Sequence, residues 1–161
     1  MRVLITGAFG QLGHALKSVL SKKSNYKLIC TGRRIKKGQE GIPLDIRNQV
    51  ALKEIINTTA PDILINLAAM TNVDACELNP KLAGEINVAG LQHICDSFKG
   101  KIIHLSTDYV FDGASGPYKE DDPLNPISIY GKTKLASEHI LLEKDIKNLV
   151  IRGNVLYDYS P

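Results

Sequence analysis

Met1-Arg2-Val3-Leu4-Ile5-Thr6-Gly7-Ala8-Phe9-Gly10-Gln11-Leu12-Gly13 opens the chain, and the reading of this stretch decides the architecture of the whole. Val3 to Ile5 is a short apolar run of strand type, and Leu12, Ala15, Leu16, Val19 and Leu20 recur at helical spacing behind it. Between them stand Gly7, Gly10 and Gly13. Glycines suit a strand-to-helix turn that must bend sharply, let a pyrophosphate approach bare backbone, and pack helix tightly on strand. The helix start adds N–H groups and the positive end of its dipole. The spacing is G-x-x-G-x-x-G, one residue longer between the first two glycines than the usual dinucleotide fingerprint. Gly7, Phe9, Gly10, Gln11, Leu12 and Gly13 are therefore the predicted phosphate cradle.

Beyond this unit the alternation of strand and helix continues. Residues 27–30, 63–66, 102–106 and 149–151 are further apolar strand runs. Helical stretches are expected near 50–56, with Asp45 or Asn48 close to its start, 80–98 and 128–142. Thr31 to Pro43 and Asp112 to Pro126 read as polar loops. Continuous apolar strands separated by helices imply a parallel sheet covered on both faces, hence a doubly wound α/β fold of Rossmann type. The 161 residues, 43% of them hydrophobic, suffice for one domain with a real core, and no repeat or linker divides 1–161.

A net charge of +3 is too small to make nucleic acid or an anionic membrane the main partner. No apolar run reaches the roughly 20 residues of a membrane-crossing helix, and Met1-Arg2 leads into a strand, so a cytoplasmic protein is expected. Cys30, Cys76 and Cys95 are widely spaced and lack a C-x-x-C pair, while the four histidines form no ligand-spaced cluster; no metal site is expected.

The end of the second strand bears on the cofactor. An acidic residue there bonds the ribose 2′-hydroxyl of NAD, whereas arginine accommodates the 2′-phosphate of NADP. Gly32-Arg33-Arg34 occupies that place, with Lys36 and Lys37 beyond. NADP(H) is preferred on this reading, with NAD(H) still open, and a solvated basic loop is the alternative. The third strand runs into Asn66-Leu67-Ala68-Ala69-Met70-Thr71-Asn72-Val73-Asp74, whose small residues allow close passage of adenosine or ribose. The fourth runs into Ser106-Thr107-Asp108-Tyr109-Val110-Phe111-Asp112-Gly113. Ligands in such sheets sit beyond the carboxyl ends of strands. Tyr130 and Lys134 share one helix face. A lysine ammonium can lower a phenol pKa from near 10 toward a useful general acid, although an exposed helical pair looks the same in sequence.

Thr6-Gly7-x-x-Gly10-x-x-Gly13, Asn66-Leu67-Ala68-Ala69, the string from Ser106 to Gly113, and Tyr130-Gly131-Lys132-Thr133-Lys134 together resemble the extended short-chain dehydrogenase/reductases. The Ser106–Gly113 string and Thr71-Val73-Asp74-Glu77 resemble the dTDP-4-dehydrorhamnose reductase family in particular. The resemblance implies NAD(P)H-dependent reduction of a 4-keto nucleotide sugar in dTDP-L-rhamnose synthesis. It implies Tyr130 as proton donor, Lys134 as the group that binds the nicotinamide ribose and depresses the Tyr130 pKa, and Thr107 as hydrogen-bond partner of the reacting oxygen. It places Asp45 and Ile46 at the adenine, Leu67, Ala68 and Ala69 along the cofactor, Thr71, Val73, Asp108 and Tyr109 with Thr107 at the substrate, and Asn87 in support. It leaves a homodimer open. Family members run to roughly twice this length, so 1–161 corresponds to the cofactor-binding portion without the C-terminal substrate lobe. Two other readings stay open. One is a different nucleotide-sugar epimerase or dehydratase, although a dehydratase usually carries Asp-Glu where this chain has Asp108-Tyr109. The other is a non-catalytic cofactor-binding protein like the regulatory subunit of methionine adenosyltransferase.

Overall fold

The structure, a computed structural model, describes residues 1–145 and 147–154; the end of the expected domain, 155–161, lies outside the described residues. Six parallel strands form one sheet in the order β3-β2-β1-β4-β5-β6. They are β1 (Arg2–Thr6), β2 (Lys27–Gly32), β3 (Ile42–Pro43), β4 (Ile63–Asn66), β5 (Lys101–Thr107) and β6 (Leu149–Gly153). The doubly wound expectation holds. The order reverses on either side of β1, the place where such sheets leave a crevice at their carboxyl ends.

Strand β1 shows why the sheet is buried on both faces. Leu4 enters the larger core cluster with Leu52, Ile55, Ile56, Leu91, Ile94 and Leu141 from the helices, while Val3 and Ile5 enter a second cluster completed by Leu16 and Leu20. Helix α1 (Gln11–Leu20) thus covers one face. Helices α2 (Gln49–Thr59), α5 (Gly90–Ser97) and α6 (Ile129–Lys144) cover the other.

Several boundaries differ from the sequence expectations. Strand β2 extends through Thr31 and Gly32, and the stretch read as loop contains the two-residue edge strand β3. Proline is tolerated at an edge because one side of the strand needs no ladder donor. Between β4 and β5 the expected single helix is preceded by α3 (Val73–Leu78). The helix itself runs as α4 (Pro80–Gly84), a wide five-residue-repeat turn over Glu85–Ala89, and α5. Of the two candidates at the start of α2, Asn48 is the cap: its Oδ1 accepts from Ala51 N at 3.1 Å. Asn72 and Ser128 cap α3 and α6 in the same way. Such caps satisfy otherwise orphaned donors and fix where each helix leaves the sheet.

Candidate active site

The carboxyl ends of β1, β4 and β5 border a cavity of about 420 Å³ lined by Gly7, Gly10, Gln11, Leu12, Gly13, Leu67, Ala69, Thr71, Val73, Thr107, Asp108, Tyr109 and Tyr130. A second cavity of about 350 Å³ is lined by Gly32, Arg33, Leu44, Asp45, Ile46, Ala68, Met70, Leu82 and Ile86, and shares Gly7, Gly10, Leu67 and Ala69 with the first. The two halves meet over the glycine turn, forming one elongated cleft across the switch point.

Gly7 is the residue that turn requires. Its φ is +69°, and a Cβ there would lie 2.7 Å from Ala68 N and from the Leu67 carbonyl carbon. Strand β4 therefore closes directly on the turn, and any side chain would clash and be strained. Gly10 stands at the N-cap of α1 without a side-chain bond, leaving the Leu12 and Gly13 N–H groups at a bare helix end beside the cleft. Phe9 faces elsewhere. Its ring packs into the second core cluster, lies against the Cα side of Gly32 and Gly41, and carries the Lys17 ammonium 4.3 Å above its centroid. Phe9 shapes the cradle from behind, through packing.

At the other end of the cleft Arg33 is exposed and lines the wall; Arg34 is exposed too, outside the lining. Asp45 and Ile46 both lie on that wall, with the Asp45 carboxylate gripped by Arg47, Nη2 to Oδ2 at 2.7 Å. That bond holds the Asp45 carboxyl below the usual range. Arg47 also reaches Glu85 at 3.5 Å, tying this wall to the wide helical turn. The same turn buries Asn87, whose Oδ1 accepts from Met70 N at 2.8 Å. Its Nδ2 donates to Met70 O and to Thr133 Oγ1, both at 3.0 Å. Asn87 thereby ties the exit of β4 to α6.

Thr107, Asp108, Tyr109 and Tyr130 come together at the β5 end. Strand β5 is followed by a tight turn over Asp108–Val110, and the Thr107 hydroxyl accepts from Tyr109 N at 3.2 Å and reaches Asp108 Oδ1 at 3.2 Å. Helix α6 begins against this turn: a Cβ on Gly131 would overlap the Tyr109 carbonyl oxygen, so only glycine permits the approach. The Tyr109 and Tyr130 rings consequently meet edge to face, centroids 5.7 Å apart. Burial pushes the Tyr130 phenol above its ordinary value, and the Thr107 hydrogen bond works against that rise.

Lys134 is the expected site residue that stands behind the cleft wall. It is only 2% exposed, and its Nζ donates to Leu105 O at 2.6 Å and lies 3.0 Å from His104 Nε2. Burial lowers its pKa to about 7, against an ordinary value of 10.5, with Glu138 opposing the shift. Between those two values the unfolded chain binds the extra proton, so Lys134 makes the fold more stable as pH rises, by up to about 1.4 kcal/mol per pH unit. Urea unfolding of wild type and Lys134→Met at pH 7 and 8.5 checks this. The wild-type gain in stability should exceed the variant's, and equal gains would mean that the folded chain keeps the ammonium.

Some residues at the site were not anticipated. Gly153 and Asn154 close the cleft at the end of β6, and Leu82 and Ile86 line its other half at helical i, i+4 spacing. Behind Lys134 lies a buried polar chain of Thr6, Asn66, His104 and Ser137. Among the described residues no group of three His, Cys, Asp or Glu is placed to hold a metal, and no helix is long and apolar enough to cross a membrane.

Comparison with known proteins agrees with this geometry. The chain is 39% identical over 155 residues to dTDP-4-dehydrorhamnose reductase of Aggregatibacter actinomycetemcomitans, covering 94% of this chain and 50% of that protein. It is 36% identical over 159 residues to methionine adenosyltransferase 2 subunit beta of Xenopus tropicalis, covering 97% and 47%. The chain thus spans about half the length of the curated relatives it matches. The crystal structure of dTDP-4-dehydrorhamnose reductase from Bacillus anthracis in complex with NADP superposes with a TM-score of 0.87 at 34% identity, over 99% of this chain and 56% of that one. The Clostridium acetobutylicum reductase superposes at 0.83 with 40% identity, over 94% and 52%. The family model described as the RmlD substrate binding domain matches residues 1–161, and the chain belongs to that family.

Proposed function

We propose that this chain is the cofactor-binding half of an NADPH-dependent reductase of a 4-keto nucleotide sugar, with Tyr130 as proton donor. The observation that carries the reading is the single cleft in which a bare helix end over Gly7 and Gly10 joins an arginine-bearing wall to the Thr107–Tyr130 corner. The glycine turn fits a pyrophosphate, since Gly7 and Gly10 present only backbone to the cleft. Arg33 suits a 2′-phosphate, and Leu82, Ile86 and Ile46 suit an adenine face. When bound, the nicotinamide supplies the reducing equivalent. The chain's own contribution is then positional and acidic. Thr107 orients the reacting oxygen by hydrogen bond, and Tyr130 delivers a proton to it. Asp108, Tyr109, Thr71 and Val73 form the adjacent wall for the sugar. The half of the relatives that this chain does not span would supply the rest of the nucleotide-sugar pocket. Free thiols at Cys30, Cys76 and Cys95 fit a reducing cytoplasm.

Cofactor choice gives a direct test. NADPH should bind more tightly than NADH by about 1.5–3 kcal/mol, the usual worth of charge-assisted bonds to the extra phosphate. That is roughly 10- to 150-fold in Kd. Titration by NADPH and NADH fluorescence should show Arg33→Ser removing most of the preference and Arg34→Ser removing less, because Arg33 lines the cleft and Arg34 does not. Equal affinities in the wild-type chain would take the basic pair out of the cofactor site.

A further inference from the structure

The buried chain behind Lys134 fixes a tautomer. Asn66 Oδ1 accepts from the Ala68 backbone N–H at 3.3 Å and from the Thr6 hydroxyl, so its amide cannot be turned round. Its Nδ2 must then donate to His104 Nδ1, 3.0 Å away. A neutral imidazole that accepts at Nδ1 carries its proton on Nε2. Burial, the largest cause, holds His104 well below the ordinary histidine range and keeps the ring neutral. The Nε2–H group faces Ser137 Oγ at 3.1 Å and Lys134 Nζ at 3.0 Å. Ser137 already donates its single proton to Lys134 O at 2.6 Å, so it too receives from His104. An ammonium at Lys134 would set a second donor against Nε2–H, whereas an amine offers that hydrogen a lone pair.

We propose that His104 is a positioning residue for Lys134: held by Asn66 as the Nε2–H tautomer, it keeps the Lys134 amine uncharged and accepting in the cofactor-free protein. The surrounding charges do not reverse the effect. Glu138, one turn along α6, favours the ammonium, but its carboxylate is already taken by Arg152 at 2.7 Å and by the Ser106 hydroxyl. Tyr130, one turn before Lys134 on the same helix, is itself acted on by Cys76 from α3 and by Asp108 and Tyr109 after β5. The catalytic meaning rests on the reductase reading. There the positive charge that lowers the Tyr130 phenol pKa becomes conditional, withdrawn as pH rises through the amine's midpoint, with His104 adding to the burial that lowers that midpoint.

The test reads both atoms in the isotopically labelled chain. At pH 7.5, long-range proton–nitrogen NMR should find His104 Nδ1 bare and Nε2 protonated; the reverse tautomer, or an imidazolium, would overturn the proposal without any variant being made. Asn66→Asp keeps acceptors for Thr6 and Ala68 while turning an acceptor toward Nδ1. It should switch the tautomer and raise the Lys134 midpoint, read from the Nζ shift, by more than one pH unit. His104→Gln adds no charge and can turn a carbonyl toward Nζ, so it should raise the midpoint as well. A midpoint unmoved in both variants would exclude His104 as its cause. NADPH affinity of the wild-type chain is measured beside these. Loss of cofactor binding with the tautomer as stated would remove the reductase reading and leave the buried chain intact.

Discussion

Tyr130→Phe, made in this chain joined to a C-terminal half like that of its relatives, should lower kcat for reduction of a dTDP-4-keto sugar by about 10²–10⁴-fold, the usual contribution of a positioned general acid. The hydroxyl stands beside Thr107 at the β5 end of the cleft, and burial raises its pKa, so it holds its proton through neutral pH and has it to give. Phenylalanine keeps the edge-to-face contact with Tyr109 and removes only the oxygen. NADPH affinity should stay within about twofold of wild type, because the cradle at Gly7, Gly10 and Gly13 is untouched. NADPH oxidation under single-turnover conditions measures the chemical step. An unaffected rate would strike Tyr130 from the site. A wild-type chain so completed that binds NADPH yet reduces no sugar would favour the regulatory reading, which the 36% identity to methionine adenosyltransferase 2 subunit beta keeps in view. The 161-residue chain by itself should show only trace turnover, since holding the sugar in line with the nicotinamide can be worth roughly 7–11 kcal/mol.

Legibility in the sequence divides along physical lines. Strands β1, β4 and β5 were legible because the sheet is covered on both faces there, which favours unbroken apolar runs, while β6 reads as an apolar run although Leu149 and Ile151 are exposed at the sheet edge. The glycine turn was legible because Gly7 has no substitute at φ +69° against Leu67 and Ala68. Ile42–Pro43 was not, since two residues carry no periodicity and a proline argues against a strand unless its edge position is known. The wide turn at Glu85–Ala89 was equally hidden. It accompanies the bonds from Asn87 to Met70 and Thr133, residues distant in the chain. Lys134 was identified from its spacing to Tyr130, but its direction was not, because the partners that draw Nζ inward lie on β5. His104 lies between Ile103 and Leu105 in a strand run, and nothing in its spacing points to Asn66 or Lys134. Phe9 sits in the motif with its ring packed against the second core cluster, a direction the motif does not give. A local pattern therefore locates backbone and spacing, while side-chain direction is decided by what the neighbouring strands offer.

Arg152→Leu should destabilise the chain by about 3–5 kcal/mol, the cost of leaving a buried carboxylate without its cation. Glu138 is 1% exposed on the inner side of α6, one turn beyond Lys134, and Arg152 at the end of β6 meets it through Nη2 at 2.7 Å and Nε at 3.1 Å. With Arg152 gone, the Ser106 hydroxyl would be left as donor to Glu138. Arg152 also donates to Glu120 O at 2.7 Å and lies 5.5 Å from the Phe111 ring, so it staples the 112–126 loop to the sheet as well. Domains of this size are stable by only about 5–15 kcal/mol in all, which makes the loss a large fraction of the total. The pair itself need not be stabilising, because burying both charges costs nearly what their attraction returns. The double variant Arg152→Leu/Glu138→Leu should therefore recover more than half of the single-variant loss. Urea unfolding of wild type, both single variants and the double variant closes the cycle. If the two single losses add, the residues act independently and the staple acts only through Glu120 and Phe111. If they cancel, a coupled ion pair spans β6, β5 and α6 and holds the helix that carries Tyr130 at its place over the cleft.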